Sequence, residues 1–221
     1  MEDIQDHFSS LINNTTINDA TEEFELECRL GYASDNRFDT NVGPHFFELL
    51  INTLEDNEWD SKKRIHSVQY TDKHGYKLRI PEKGQERVIK KNRIGLQDYI
   101  FCGAPVDFRF CLSKEIHCLR QHFSDQTKYE NIRMTDRIRY TKFPWNYDLS
   151  IVYGYGDIVK NYEHPILHQT RYEIEIELDA TEAKKNPDLI SMLVENAMEL
   201  SESIEENTSQ DLELEQVRTF P

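Results

Sequence analysis

The chain has 221 residues, a formal net charge of -15 and four cysteines without CxxC spacing. The length suits one domain with a sizeable core, and the charge excludes a broadly basic nucleic-acid surface, though not a basic groove inside an acidic shell. No apolar run nears the ~18 residues of a membrane span, the N-terminus lacks the basic-then-apolar pattern of a secretory signal, and Cys28, Cys102, Cys111 and Cys118 read as reduced thiols rather than a disulfide or zinc framework.

Residues 2–13 place Ile4, Phe8 and Leu11 or Ile12 at helical spacing and predict a short amphipathic helix. Phe24 to Gly31 then alternates charged and apolar residues. A strand here puts Glu25, Glu27 and Arg29 on one face and Phe24, Leu26, Cys28 and Leu30 on the other. Pro44 opens a second helix over 44–56, with Phe46, Phe47, Leu50, Ile51 and Leu54 as its apolar stripe. From about 64 to 178 the pattern is of strands and short turns. Tyr76–Pro81 carries Lys77 and Arg79 on one face, and its partner over 86–94 brings Lys90 or Lys91, because a one-residue slip of register exchanges the faces. Asp107–Glu115 puts Arg109 and Glu115 together; 131–141 aligns Arg133, Thr135, Arg137 and Arg139; 145–153 sets Asp148 and Ser150 on one face. Tyr172 to Leu178 mirrors the first acidic strand, with Glu173, Glu175 and Glu177 in line. Asn186 caps a last helix from Pro187 to about residue 200, and an acidic tail or linker follows. His164 and His168 are four apart, but the proline between them argues against a helical metal pair.

Several carboxylates in line on one strand face repel each other. A single strand of that kind reads as a solvated, charge-blunted edge. Two such strands as neighbours make the carboxylates converge, which favours a hard cation, Mg²⁺ or Mn²⁺. Since each strand has one apolar and one charged face, the economical arrangement turns the apolar faces outward under the helices and the charged faces into a polar channel. The expected fold is mainly β with flanking helices (α+β), an eight-stranded antiparallel barrel with a charged interior, in one domain over 1–221 with its core at about 20–200. Acids on one wall and arginine or lysine on another make a site for a polyphosphate with its metal. The competing expectation is a network of exposed charged pairs on the face of a non-catalytic docking module.

The two acidic strands, with 107–115, 133–140 and 145–150, resemble the triphosphate tunnel metalloenzymes. Within that superfamily they are similar to the metal-dependent RNA triphosphatases of fungal, protozoal and large-DNA-virus mRNA capping, including the giant-virus (mimivirus-type) domain. The resemblance spans about 20–180 and implies removal of the γ-phosphate from the 5′-triphosphate end of RNA, with hydrolysis of NTPs. It implies Glu25, Glu27 and Glu177 as metal ligands, with Glu175 and Glu173 positioning the metal's water and the attacking water. Arg79, Lys91, Arg109, Arg133 and Arg137 would contact the triphosphate. Thr135 stands where a lysine is common in this branch, and Arg29 where the wider superfamily often has lysine. The KxDG motif of capping guanylyltransferases is absent, so a fused or associated guanylyltransferase is an implied partner. The implied location is cytoplasmic, in a viral factory or virion if the chain is viral, or nuclear if it is cellular. Hydrolysis of a small triphosphate, inorganic or thiamine, is the other activity such a tunnel supports.

Overall fold

The computed structural model describes residues 2–15, 22–35, 37–100, 104–123, 129–156 and 170–202. Its elements in chain order are α1 (Glu2–Asn14), β1 (Glu22–Ser34), β2 (Arg37–Asp39), α2 (Pro44–Glu55), β3 (Ser61–Asp72), β4 (Tyr76–Pro81) and β5 (Arg87–Tyr99), then β6 (Asp107–Cys118), β7 (Tyr129–Lys142), β8 (Trp145–Gly156), β9 (Arg171–Asp179) and α3 (Ala180–Lys185). A further helix, α4, runs over 188–202.

The alternation in β1 acts as expected. Leu26, Cys28 and Leu30 are fully buried on its outer side, while Glu25, Glu27 and Arg29 line a cavity on its inner side. The strand order is β2-β1-β6-β5-β4-β3-β7-β8-β9, entirely of antiparallel pairs, and β1 also pairs with β9. That last pairing closes eight strands into a barrel and leaves no open edge between its two ends. The short β2 adds to β1 outside the ring.

The hydrophobic core therefore lies between barrel and helices, not inside the barrel. Ile4, Phe8 and Ile12 of α1, Phe47, Leu50 and Leu54 of α2, and Ile190, Leu193 and Ala197 of α4 pack with the outward residues of β1, β6, β8 and β9. Burying each large apolar side chain stabilises by about 1.5–3 kcal/mol, so the helices stabilise the barrel from outside and free its interior for charge. Leu78, Val88 and Phe123 make a second, smaller cluster over β4 and β5.

Three local features differ from the sequence expectation. The strand predicted over 86–94 continues to Tyr99, because a bulge between Arg93 and Gly95 restores pairing where the alternation breaks. A short helix, α3, precedes the predicted last helix: the Asp179 carboxylate accepts from the Thr181 amide at 2.7 Å, and Ala180 and Ala183 are buried. The Asn186 side chain then accepts from the Asp188 amide at 3.3 Å, so its predicted capping of the following helix holds. β2, too short to show periodicity, was not foreseen. Cys28, Cys111 and Cys118 are free thiols, whereas Cys102, His164, His168 and the tail from 203 lie outside the described residues. Among the described residues no helix is long and apolar enough to cross a membrane.

Candidate active site

The register brings the two acidic strands face to face. Glu27 lies opposite Glu177, Arg29 opposite Glu175 and Glu25 opposite Asp179. On its other side β1 sets Glu23 against Glu115 and Glu25 against Ser113 of β6. Residues from seven of the eight barrel strands line a cavity of about 280 Å³ between these acids and a set of basic side chains.

Most of the charges meet there. Lys91 donates to Glu25 and Glu27 at 3.0 Å each and stands 3.8 Å from Glu115. Burial works against its charge, but these three carboxylates outweigh it and hold the ammonium well above its usual range. Lys90 points the other way, over the Tyr76 ring at 4.9 Å, so of the two lysines it is Lys91 that faces the lumen. Arg29 is 2.9 Å from Glu175 and 3.2 Å from Glu27. Burial alone would raise Glu175, yet Arg29, Arg137 and Arg133 hold it well below the usual carboxylate range. Glu177 shows the opposite balance. Burial and the neighbouring Asp148 push it up to about 8, although Arg139 stands at 2.6 Å. Glu173 accepts from Arg133 at 2.5 Å and from the Thr40 hydroxyl at 3.2 Å.

Asp148 organises the basic side of this network. It is 0 % exposed, accepts from Arg139 Nε at 2.6 Å and also binds Arg137. Arg137 donates in addition to Ser150 Oγ at 3.0 Å. A buried charge is stable only when paired and hydrogen-bonded; Asp148 meets both conditions and in return fixes two guanidinium groups toward the lumen.

Of the residues expected to touch triphosphate, Arg79, Lys91, Arg133 and Arg137 line the cavity. Arg109 does not. It forms a two-pronged pair with Asp98 at 2.6 and 2.7 Å, stacks over Phe38 and lines an adjoining pocket of about 240 Å³ that shares Glu27, Arg29, Lys77 and Lys91 with the first. The expected metal ligands Glu25, Glu27 and Glu177 sit on adjacent strands and face one lumen. The tightest carboxylate groups among the described residues are, however, Asp148 with Glu175 and Glu177, and Glu23 with Glu25 and Glu115, each within 4.8 Å. The donor set is all oxygen, as a hard divalent cation requires. Ser113 Oγ, opposite Glu25, is buried with no hydrogen-bond partner, as is Arg29 Nε. Such orphans are costly until a water or ligand oxygen reaches them.

Sequence reasoning gave no role to Asp148, Arg139, Glu115 or Lys77, although each was already on the charged face of its strand. The usable signal was hairpin partnership. Three alternate arginines on β7 required a carboxylate on the strand beside them, and Asp148 lies opposite Arg139.

The family model described as "mRNA capping enzyme, beta chain" matches residues 34–208. A comparison with curated protein sequences finds no match. Among solved structures, the S. pombe RNA triphosphatase Pct1 has a TM-score of 0.67 at 16% identity, over 90% of this chain and 91% of that chain. Pct1 in complex with the Spt5 CTD gives 0.67 at 17% identity, over 90% and 91%. The mimivirus capping enzyme triphosphatase gives 0.52 at 11% identity, over 88% of this chain and 97% of that chain. At these identities the structural likeness is one of fold: a closed eight-stranded antiparallel barrel with flanking helices.

Proposed function

The chain belongs to the family of the mRNA capping enzyme beta chain, and from that premise we propose how its tunnel works as an RNA 5′-triphosphatase. The enzyme removes the γ-phosphate from the 5′-triphosphate end of RNA, the first chemical step of capping. One observation carries the reading: Glu27 and Glu177, from strands near opposite ends of the chain, oppose each other inside a closed barrel and face Lys91, Arg137 and Arg139.

Glu25, Glu27 and Glu177 would hold Mg²⁺ or Mn²⁺, which supplies neutralising positive charge at the phosphate oxygens. Lys91 already stands between Glu25 and Glu27, so these carboxylates are arranged around a positive charge. Lys77, Arg79, Lys91, Arg133 and Arg137 bind the phosphate oxygens. Phosphoryl transfer asks mainly for such positioning and charge neutralisation. Glu175, kept ionised by its arginines, orients water in the lumen. Glu173, fixed by Arg133 and Thr40, positions the attacking water on the neighbouring part of the wall. Asp148 acts through Arg137 and Arg139 as a positioning residue. A fused or associated guanylyltransferase supplies the following capping step, since the KxDG motif is absent from these 221 residues, and the two activities belong to the cytoplasm or the nucleus.

The test is phosphate release from γ-labelled triphosphate-ended RNA, from ATP and from tripolyphosphate, with magnesium, with manganese and with neither. Wild type should release phosphate only with a divalent ion, and Glu27→Ala should release almost none. Equal release by Glu27→Ala would reject the acid wall as the metal site. Release from tripolyphosphate but not from RNA would return the small-triphosphate reading.

A further inference from the structure

The lumen's cations fall into two sets. The arginines of β1 and β7, and Lys91, are each held by carboxylates. Lys77, Arg79 and Arg87 line the same cavity, and among the described residues none of the three has an ion pair or a side-chain hydrogen bond. All three lie on β4 and β5. Arg79 sits directly opposite Arg87, and Lys77 opposite Ile89. Like charges placed opposite each other destabilise a sheet, so facing arginines without a counter-ion mark a place where an anion belongs.

The position of Arg87 decides which anion. Along β5 the lumen face runs Lys91, Ile89, Arg87. Arg87 is thus about 13 Å from Lys91 at the rise of a strand, with an apolar residue between them. Arg79 is level with Arg87 on β4, so this pair marks the outer end of a triphosphate seated at Lys91. Arg87 is also exposed, at the end of the cavity where His117, the cross-strand partner of Ile89, pairs with Glu23 at 2.9 Å on the neighbouring strands β6 and β1. At the adjoining pocket the basic groups are mostly neutralised. Asp98 holds Arg109, Glu27 and Glu175 hold Arg29, and Lys91 is shared among acids; besides Lys77, which the two cavities share, exposed Arg93 is the cation there outside any ion pair among the described residues.

We propose that the RNA chain leaves the lumen past Arg79 and Arg87, and that Arg87 binds the first phosphodiester beyond the triphosphate. This makes Arg87 a specificity residue that favours a polynucleotide end over a free nucleotide. The inference rests on the triphosphatase reading above. An NTP ends at its nucleoside and offers Arg87 no phosphate, whereas RNA does.

The experiment compares Arg87→Gln and Arg93→Gln with wild type on a triphosphate-ended oligoribonucleotide and on ATP. Arg87→Gln should lower kcat/KM for the RNA about tenfold, the effect of one charge-assisted hydrogen bond, mostly through KM. Its ATP hydrolysis should stay within about twofold of wild type, which also certifies its fold. The salt dependence of RNA binding should flatten by roughly 0.7 to 1 in the log-log slope, the signature of one lost phosphate contact. Arg93→Gln should change neither substrate. Equal losses on RNA and ATP, no loss on RNA, or an RNA-selective loss in Arg93→Gln instead would each overturn the proposal. Absence of phosphate release from RNA by wild type would overturn the triphosphatase reading itself. The binding slope is read independently of turnover and separates the two failures.

Discussion

Glu27 is 3 % exposed and Asp148 0 %, yet the two carboxylates have different work, and substitutions should separate them. Glu27 shares Lys91 with Glu25 and Glu115, and Arg29 with Glu175. Glu27→Ala leaves that ammonium two partners, so the fold should survive while catalysis fails. Divalent-dependent phosphate release should fall by about 100-fold or more, the scale of losing one preorganised electrostatic group, with little change in the urea midpoint. Asp148 hydrogen-bonds both Arg137 and Arg139, and without it they keep only Glu175 and Glu177. Asp148→Ala leaves Arg137 and Arg139 facing each other inside the barrel, and breaking a buried pair from one side costs about 3–5 kcal/mol. Urea denaturation should show that loss, and a stability change under about 1 kcal/mol would mean that Glu175 and Glu177 hold both arginines alone. Alternation made Glu25, Glu27, Glu173, Glu175 and Glu177 legible in the sequence, because period two assigns a face without knowing the neighbours. The placement of Arg109 was not legible. Its face was right, but Asp98 reaches it only through a bulge in β5 that shifts the register by one residue.

At the scale of elements, β1 depends on the segment that follows it. A Cβ on Gly31 would stand 2.2 Å from the Asp39 carbonyl oxygen and 2.6 Å from the Phe38 ring. The same segment carries Thr40, which hydrogen-bonds Glu173, and Asn41, whose side chain accepts from the Tyr172 amide at 2.9 Å. Gly31→Ala should therefore destabilise by roughly 1–3 kcal/mol through overpacking and also lower turnover by displacing Thr40. Gly154 supplies the control: a Cβ there meets nothing within 4 Å, and Gly154→Ala should be neutral or stabilising by a few tenths of a kcal/mol to about 1. Thermal midpoints of both variants check the pair, and similar shifts would refute the packing account. The helices of the outer layer could be expected from apolar residues at 3.6 spacing, and most strands from alternation. α3 and β2 could not, because six residues and three residues are too short to show a period; their causes are a side-chain cap and a hairpin.

The whole molecule couples charge to closure. The chain carries a net charge of -15, its lumen sets the acids of β1 and β9 against the bases of β4, β5 and β7, with Arg29 among the acids, and the β1–β9 pairing that completes the site also completes the barrel. Ligand binding and fold stability are thus linked: the acid wall exists only in the closed state, so a divalent ion bound there stabilises the native state alone. At a concentration 100 times its Kd such an ion adds about 2.7 kcal/mol. Mn²⁺ should raise the thermal midpoint of wild type, and tripolyphosphate added with it should raise the midpoint further by taking up Lys77 and Arg79. Glu27→Ala should lose most of the manganese shift, whereas Arg87→Gln should keep both. Chelation should return wild type to its starting midpoint. An equal manganese shift in Glu27→Ala would place the ion on the outer acidic surface and separate barrel closure from metal binding.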